Sequence, residues 1–265
     1  MKRIALISIV VILAFSASQA LAQDDDDNFY DEIKKYAESE LEDVAKPLVE
    51  AFGTGVCGGL YHTGKTHGTL GFDVGVRSMM VFIPEGKSEI LDSSDVSFFP
   101  VPVIQASVGL PMDFEVMARG FGVKFEDETI SLIGVGVKKG FGSYIPIPGF
   151  PDVSAMVAYH RFAAGDVLHS RHLSFNVMVS KSFLVISPYG GFGYDIHSMN
   201  FEYTYIDPDL PAGQNELSID KTIKANTTRL TLGLKLTPLP FVNIFADYNI
   251  SKFSQLTVGL AISFR

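Results

Sequence analysis

The chain has 265 residues, 47% of them hydrophobic, and a formal net charge of −9. That acidity argues against nucleic acid as a partner, because neutralising phosphates needs clustered Lys and Arg. The single cysteine, Cys57, excludes an intrachain disulfide, so no covalent staple supports the fold.

Residues 1–22 have the make-up of an export signal. Lys2 and Arg3 form a positive start, residues 4–15 are apolar, and Ala20-Leu21-Ala22 supplies the small residues a signal peptidase requires. The apolar run is short for a bilayer span and ends in Ser16, Ser18 and Gln19. Cleavage takes the formal charge from −9 to −11 and leaves enough chain for one domain or one barrel. No later stretch reaches 18 uninterrupted apolar residues, so no membrane-spanning helix is expected.

Residues 23–65 read as an acidic leader followed by an amphipathic helix. Asp24 to Asp27 form a solvated run. From Asn28 to Phe52 an imperfect helical stripe appears, built from Phe29, Ile33, Tyr36, Leu41, Val44, Leu48 and Phe52. Asn28 is the expected cap, Pro47 is expected to kink or split the helix, and Gly53 and Gly55 to end it. The helix is too short and too charged to cross a membrane. Two placements follow: over the periplasmic mouth of a barrel, or as a plug inside it.

Residues 66–265 change period from 3.6 to 2. Leu230, Leu232, Leu234 and Leu236 alternate with Arg229, Thr231, Gly233 and Lys235, and Leu256, Val258, Leu260, Ile262 and Phe264 alternate with small and polar residues. A sheet that spans lipid must turn the apolar face outward, so Leu232, Leu234, Val258 and Leu260 are expected to meet hydrocarbon. Ten alternating segments lie near 67–83, 99–110, 112–125, 129–139, 153–162, 171–181, 184–203, 217–236, 241–250 and 254–264. The expectation is an all-β, transmembrane, antiparallel up-and-down barrel of about ten strands, within a range of eight to twelve. Connections after even strands should be short and periplasmic. The stretch 140–152, with Pro146, Pro148 and Pro151, is too long for that rule. With no Trp, interfacial aromatics fall to Phe82, Phe98, Phe99, Phe125, Tyr203, Tyr205 and Tyr248.

The C-terminal run Leu256-x-Val258-x-Leu260-x-Ile262-x-Phe264 resembles the terminal strand signal read by the outer-membrane barrel assembly machinery, except that Arg265 follows the aromatic. The Gly-rich run from Gly53 to Gly68, followed by Gly71-Phe72-Asp73-Val74-Gly75-Val76, resembles an uncharacterised family of bacterial outer-membrane barrels with a helix before the first strand. Its architecture is also distantly similar to the long-chain fatty-acid transporters, whose N-terminal segment plugs the barrel. The resemblance implies a Gram-negative outer-membrane location reached by export. It also implies porin-like or ligand-selective transport of small or hydrophobic molecules. The alternatives are a structural or adhesive barrel acting through its outer loops, and an outer-membrane lipid-modifying enzyme. Expected partners are outer-membrane lipid, the assembly machinery and a small hydrophobic ligand.

No enzyme motif, catalytic set, cofactor or metal site is expected. Gly-x-Ser-x-Gly, His-Glu-x-x-His and Cys-x-x-Cys are absent. His169 and His172 read as solvated polarity, and His160, His172 or His197 beside a serine as wall residues. Gly71, Gly75, Gly134, Gly136, Gly190, Gly191 and Gly193 lie inside alternating segments with no helix after them, unlike a phosphate loop. The chemically richest feature is the nonapolar face. Asp73, Arg77, Glu115, Arg119, His172, Asn176, Arg229, Lys235, Asn243 and Asp247 all fall on it. It is either a polar pathway or a salt-bridge network filling a narrow lumen. A hairpin through Thr237-Pro238-Leu239-Pro240 sets Arg229 opposite or diagonal to Asp247 if the register sum is 476 or 478, predicting an ion pair.

Overall fold

Side chains alternate across a strand, so a segment with every second residue apolar has one oily and one polar face. Ten such segments form strands in the computed structural model, which describes residues 38–87, 97–125, 128–144, 147, 149–164, 168–206 and 216–264. They are β1 (Phe72–Phe82), β2 (Phe98–Leu110), β3 (Phe114–Phe125), β4 (Glu128–Gly140), β5 (Asp152–Ala164), β6 (Leu168–Ser180), β7 (Ile186–Ile206), β8 (Glu216–Leu239), β9 (Val242–Ile250) and β10 (Gln255–Phe264). Each pairs antiparallel with its neighbours in the chain, and β1 pairs with β10 from Phe72↔Phe264 to Val81↔Gln255, closing the barrel. Closure satisfies the strand backbones and leaves no sheet edge. The ten-strand barrel is the fold the alternation predicts. The export signal, the aspartate run and the first part of the expected helix lie outside the described residues.

The apolar face points outward. Leu232, Leu234 and Val258 are exposed, Leu232 to 57%, and Leu260 shares their side of the sheet. A continuous exposed belt of this kind is untenable in water and is the surface a bilayer covers. Phe82, Phe98 and Tyr248 point outward as expected. Phe99 does not: it turns inward and stacks on Phe52 with ring centroids 4.8 Å apart, because its neighbour Phe98 takes the outward position. The side chains of Phe125, Tyr203 and Tyr205 lie outside those described. At the opposite rim Phe264 packs against Phe72 (4.9 Å) and Phe241 (4.5 Å), an aromatic patch on the same outward face.

The connections β2–β3, β6–β7 and β8–β9 are short and share one end, here the turn end. With ten strands in place, the β4–β5 connection falls there too, so its length is a real departure from the rule. The flanking lysines hold that end together: Lys139 donates to the Met112 carbonyl and Lys181 to the Gly149 carbonyl. The strand β1 starts at Phe72, later than expected, because Gly68 and Leu70 adopt positive φ (73° and 65°) and turn the chain into the wall.

Helix α1 (Glu38–Cys57) lies inside the barrel. Leu41, Ala45, Leu48 and Val49 are fully buried in one cluster with Val81, Leu132, Met199, Phe201, Ile219 and Ile223, inward residues at the loop end. Two expectations need correction. The helix runs unbroken through Pro47, since proline removes one backbone bond while the enclosing wall holds the turns on either side. It also continues through Gly53 and Gly55. A glycine costs about 1 kcal/mol in a helix, but a Cβ at Gly53 would overlap the His197 ring, so close approach to the wall requires the missing side chain.

Candidate functional site: the polar interior

Residues 58–67 leave the helix and descend to the turn end, so the lower half of the barrel is filled by polypeptide and by the polar face of the wall. All ten polar residues expected on that face point inward and are only 1–5% exposed. Most of them reach one another or the descending segment.

The first group grips the end of α1. A helix leaves its last carbonyls without partners, and cations there are favourable. Arg119 donates through Nη1 to the Gly58 carbonyl at 2.8 Å and through Nη2 to that of Val56. Arg77 donates to the Gly59 carbonyl at 2.5 Å, and Gln105 to that of Leu60 at 3.1 Å. Gly59 has φ of 59°, a left-handed turn, with Thr257 Cγ2 only 2.9 Å from where a Cβ would stand. Three wall side chains thus satisfy four carbonyls of the segment they surround.

A second group crosses β5 to β8. His160 faces His172 and His172 faces His197 in the strand registers, a lateral row of three inward histidines. Arg119 Nε donates to His160 Nε2 at 2.9 Å, His172 Nδ1 lies 3.0 Å from His197 Nδ1, and His197 Nε2 lies 2.9 Å from Thr227 Oγ1. Ser170 Oγ contacts His172 Nε2 at 2.7 Å. Cys57 is close enough to His172 and His197 for their ligand atoms to lie within 4.8 Å, but those ring nitrogens are already engaged. Cys57 is free and fully buried at the end of α1, where a thiol packs as a small hydrophobe.

A third group contains the ion pair of Arg229. The hairpin prediction fails here: Asp247 faces Gly233, and Arg229 pairs instead with Asp195 of β7 at 3.3 Å, with a second bond to Asn176 Oδ1 at 3.0 Å. The reason is the turn. The strand β8 continues to Leu239, Pro240 and Phe241 make the reversal with Phe241 at φ 76°, and a bulge between Leu236 and Leu239 slides the register to a sum of 480. The sum is still even, so both residues keep the inner face, four positions apart. Asp247 instead accepts from Tyr189 Oη at 2.8 Å and Asn249 Nδ2 at 2.7 Å.

At the turn end Glu115 accepts from Lys138 at 3.3 Å and contacts His67 Nδ1 at 2.8 Å, while Asn243 donates to Ser263 at 2.7 Å. Lys235 is buried on the same wall. Sequence reading missed Asp195, Lys138, Gln105, His62 and His67 as interior groups. The first three were available from alternation, since Asp195 follows Gly193 and precedes His197 against outward Tyr194 and Ile196. His62 and His67 sit in an aperiodic run that carries no such signal.

On the outer wall a concavity of about 990 Å³ lies across β4 to β8. Ile133, Val135 and Tyr159 line its lower part, and Arg161, His169 and Arg171 its loop-end part, where the apolar belt gives way to polar side chains.

Among solved structures, the translocator domain of the autotransporter NalP from Neisseria meningitidis matches at 11% identity and TM-score 0.43, over 86% of this chain and all of that one. The outer-membrane protease OmpT of Escherichia coli matches at 11% identity and TM-score 0.42, over 74% of this chain and 96% of that one. Ail, the attachment invasion locus protein of Yersinia pestis, matches at 11% identity and TM-score 0.34, over 74% and 99%. Such likenesses are of fold and say nothing of activity. No curated protein matches the chain. A family model covers residues 1–93 and 88–264, so the chain belongs to a family of unknown function, DUF6588.

Proposed function

We propose that the protein is an outer-membrane channel held shut by its own N-terminal segment, opening to small amphipathic or hydrophobic molecules when that segment moves. The observation that carries this is the occupancy of the interior: α1 fills the loop half and residues 58–67 the turn half. The two halves differ in chemistry. The inner wall is apolar behind α1 and charged behind the descending segment. Withdrawal of the plug would expose an apolar vestibule followed by a hydrated, charged exit, which suits a molecule with both characters. The expected likeness to the long-chain fatty-acid transporters rests, for this chain, on the internal plug alone. Placement in the outer membrane rests on the closed barrel, its apolar belt and the export signal read in residues 1–22.

A second reading, a structural or adhesive barrel, is favoured by the outer concavity with Arg161 and Arg171, directly opposed across β5 and β6. We read the chain as no enzyme: Ser170 and His172 make a short contact, but the other ring nitrogen of His172 meets His197 rather than a carboxylate that would orient it as a base.

Swelling of proteoliposomes separates the two. The channel reading expects slow swelling with the full chain and fast entry of small solutes when residues 24–67, which fill both halves of the interior, are deleted from an assembled barrel. Unchanged entry after the deletion would favour the structural reading.

A further inference from the structure

Two histidines of the descending segment and one aspartate of β1 are buried together at the turn end. His62 Nε2 lies 3.6 Å and His67 Nε2 3.9 Å from Asp73 Oδ2, and all three ligand atoms fall within 4.8 Å of one another. Neither Nε2 has a hydrogen-bond partner among the described residues, though both rings are nearly sealed, at 3% and 4% exposure. An imidazole nitrogen left without a partner in a dry interior is costly. Two of them converging on one carboxylate oxygen call for a shared occupant.

We propose that His62, His67 and Asp73 bind one divalent first-row transition ion of the zinc class, which clamps the N-terminal segment to the first strand. Two imidazoles and a carboxylate suit zinc, and three protein ligands leave an open position. Ligand bonds of about 2.0–2.2 Å at tetrahedral angles place donor atoms about 3.4 Å apart. The two histidine–aspartate separations are within half an ångström of that and the two histidine nitrogens lie within 4.8 Å of each other, so side-chain movements that draw the imidazoles together complete the site.

Around His67 the groups are those a metal site requires. The far nitrogen of a ligating histidine ordinarily meets a carboxylate or carbonyl, which orients the ring and raises its basicity. His67 Nδ1 meets Glu115 Oε2 at 2.8 Å, and Glu115 is itself held by Lys138. The other oxygen of Asp73 faces Arg77 Nη2 at 3.6 Å, and Oδ2, which accepts from the Ser263 hydroxyl through one lone pair, turns the other toward the histidines. His62 stacks on Phe245 at 4.6 Å, which fixes its plane; ligation through Nε2 puts the ring proton on Nδ1, so the Arg77 Nη2 contact there, at 3.4 Å, gives way while Arg77 keeps its bond to the Gly59 carbonyl. His67 also borders a cavity of about 250 Å³ at the turn end, shared with Thr66, Gly68 and Asp113, which supplies a route in. The second candidate, Cys57 with His172 and His197, lacks free ring nitrogens and carries no such argument. The inference concerns how the segment is anchored and does not depend on passage of any solute.

The test is titration of the refolded full chain in detergent with zinc against a chromophoric chelator, with cobalt as a spectroscopic substitute. One ion per chain is expected. His67→Gln and Asp73→Asn should each weaken binding by at least about tenfold, Glu115→Gln by about 10- to 100-fold, and Cys57→Ser not at all. The cobalt spectrum should lack thiolate charge-transfer absorption. Folding of each variant is checked by heat-modifiable migration. Should the ligand variants fail to fold, the Glu115→Gln titration and the cobalt spectrum decide alone. Absence of stoichiometric binding, wild-type affinity in Glu115→Gln, or loss of binding in Cys57→Ser would overturn the proposal.

Discussion

At Arg229 the interior shows why its charges come in sets. The guanidinium is 1% exposed and its partner Asp195 fully buried, so each leaves water entirely. Such a pair adds little net stability over apolar residues of the same shape, because desolvation offsets the attraction. Breaking it is a different matter, since the survivor is then a lone buried charge. Asp195→Ala is expected to destabilise the barrel by about 3–5 kcal/mol, read from the urea midpoint of folding into lipid vesicles. The double variant Asp195→Ala, Arg229→Leu should recover part of that loss. A single-variant cost below about 1 kcal/mol would show the pair to be hydrated. At this scale the sequence told which face Arg229 occupies, because period-2 alternation fixes facing regardless of register. It did not tell the partner. That depends on one bulge between Leu236 and Leu239 and on a turn at Pro240 and Phe241, and a slip of two residues leaves the alternation unchanged while replacing every neighbour.

The element with the most consequence is α1. Its stripe of Leu41, Val44 and Leu48 was legible as helix, and its polypeptide neighbours were not. A lone amphipathic pattern does not say which surface it covers. Gly53 and Gly55 read as stops because glycine ends most helices, whereas here enclosure by the wall overrides propensity and uses the missing side chains for close packing. The contacts also give the helix a direction. Glu50 pairs with Lys252 in the β9–β10 connection at the loop end, and the chain then descends to His67 at the turn end. Short turns face the periplasm in bacterial barrels, so the exposed residues Glu42, Asp43 and Lys46 stand at the outer mouth. Glu42→Cys, in a Cys57→Ser background, should therefore react with a membrane-impermeant maleimide added to intact cells. Labelling only after the cells are broken open would reverse the direction assigned to the helix.

For the whole molecule, composition and period were enough to give the closed barrel, since a chain of alternating segments has few ways to bury its backbone in lipid. They could not tell a filled interior from an open one. The same ten polar residues would line a water-filled pore or brace a plug, and only the positions of Gly58, Gly59 and Leu60 beside Arg119, Arg77 and Gln105 distinguish the two. The account therefore turns on closure by residues 41–67. Conductance of single molecules in a planar bilayer tests it most directly. The intact chain should carry no steady current, and the Arg77→Ala, Arg119→Ala double variant, which frees the carbonyls of Val56, Gly58 and Gly59, should show repeated openings. A steady, ohmic conductance from the intact chain would contradict it.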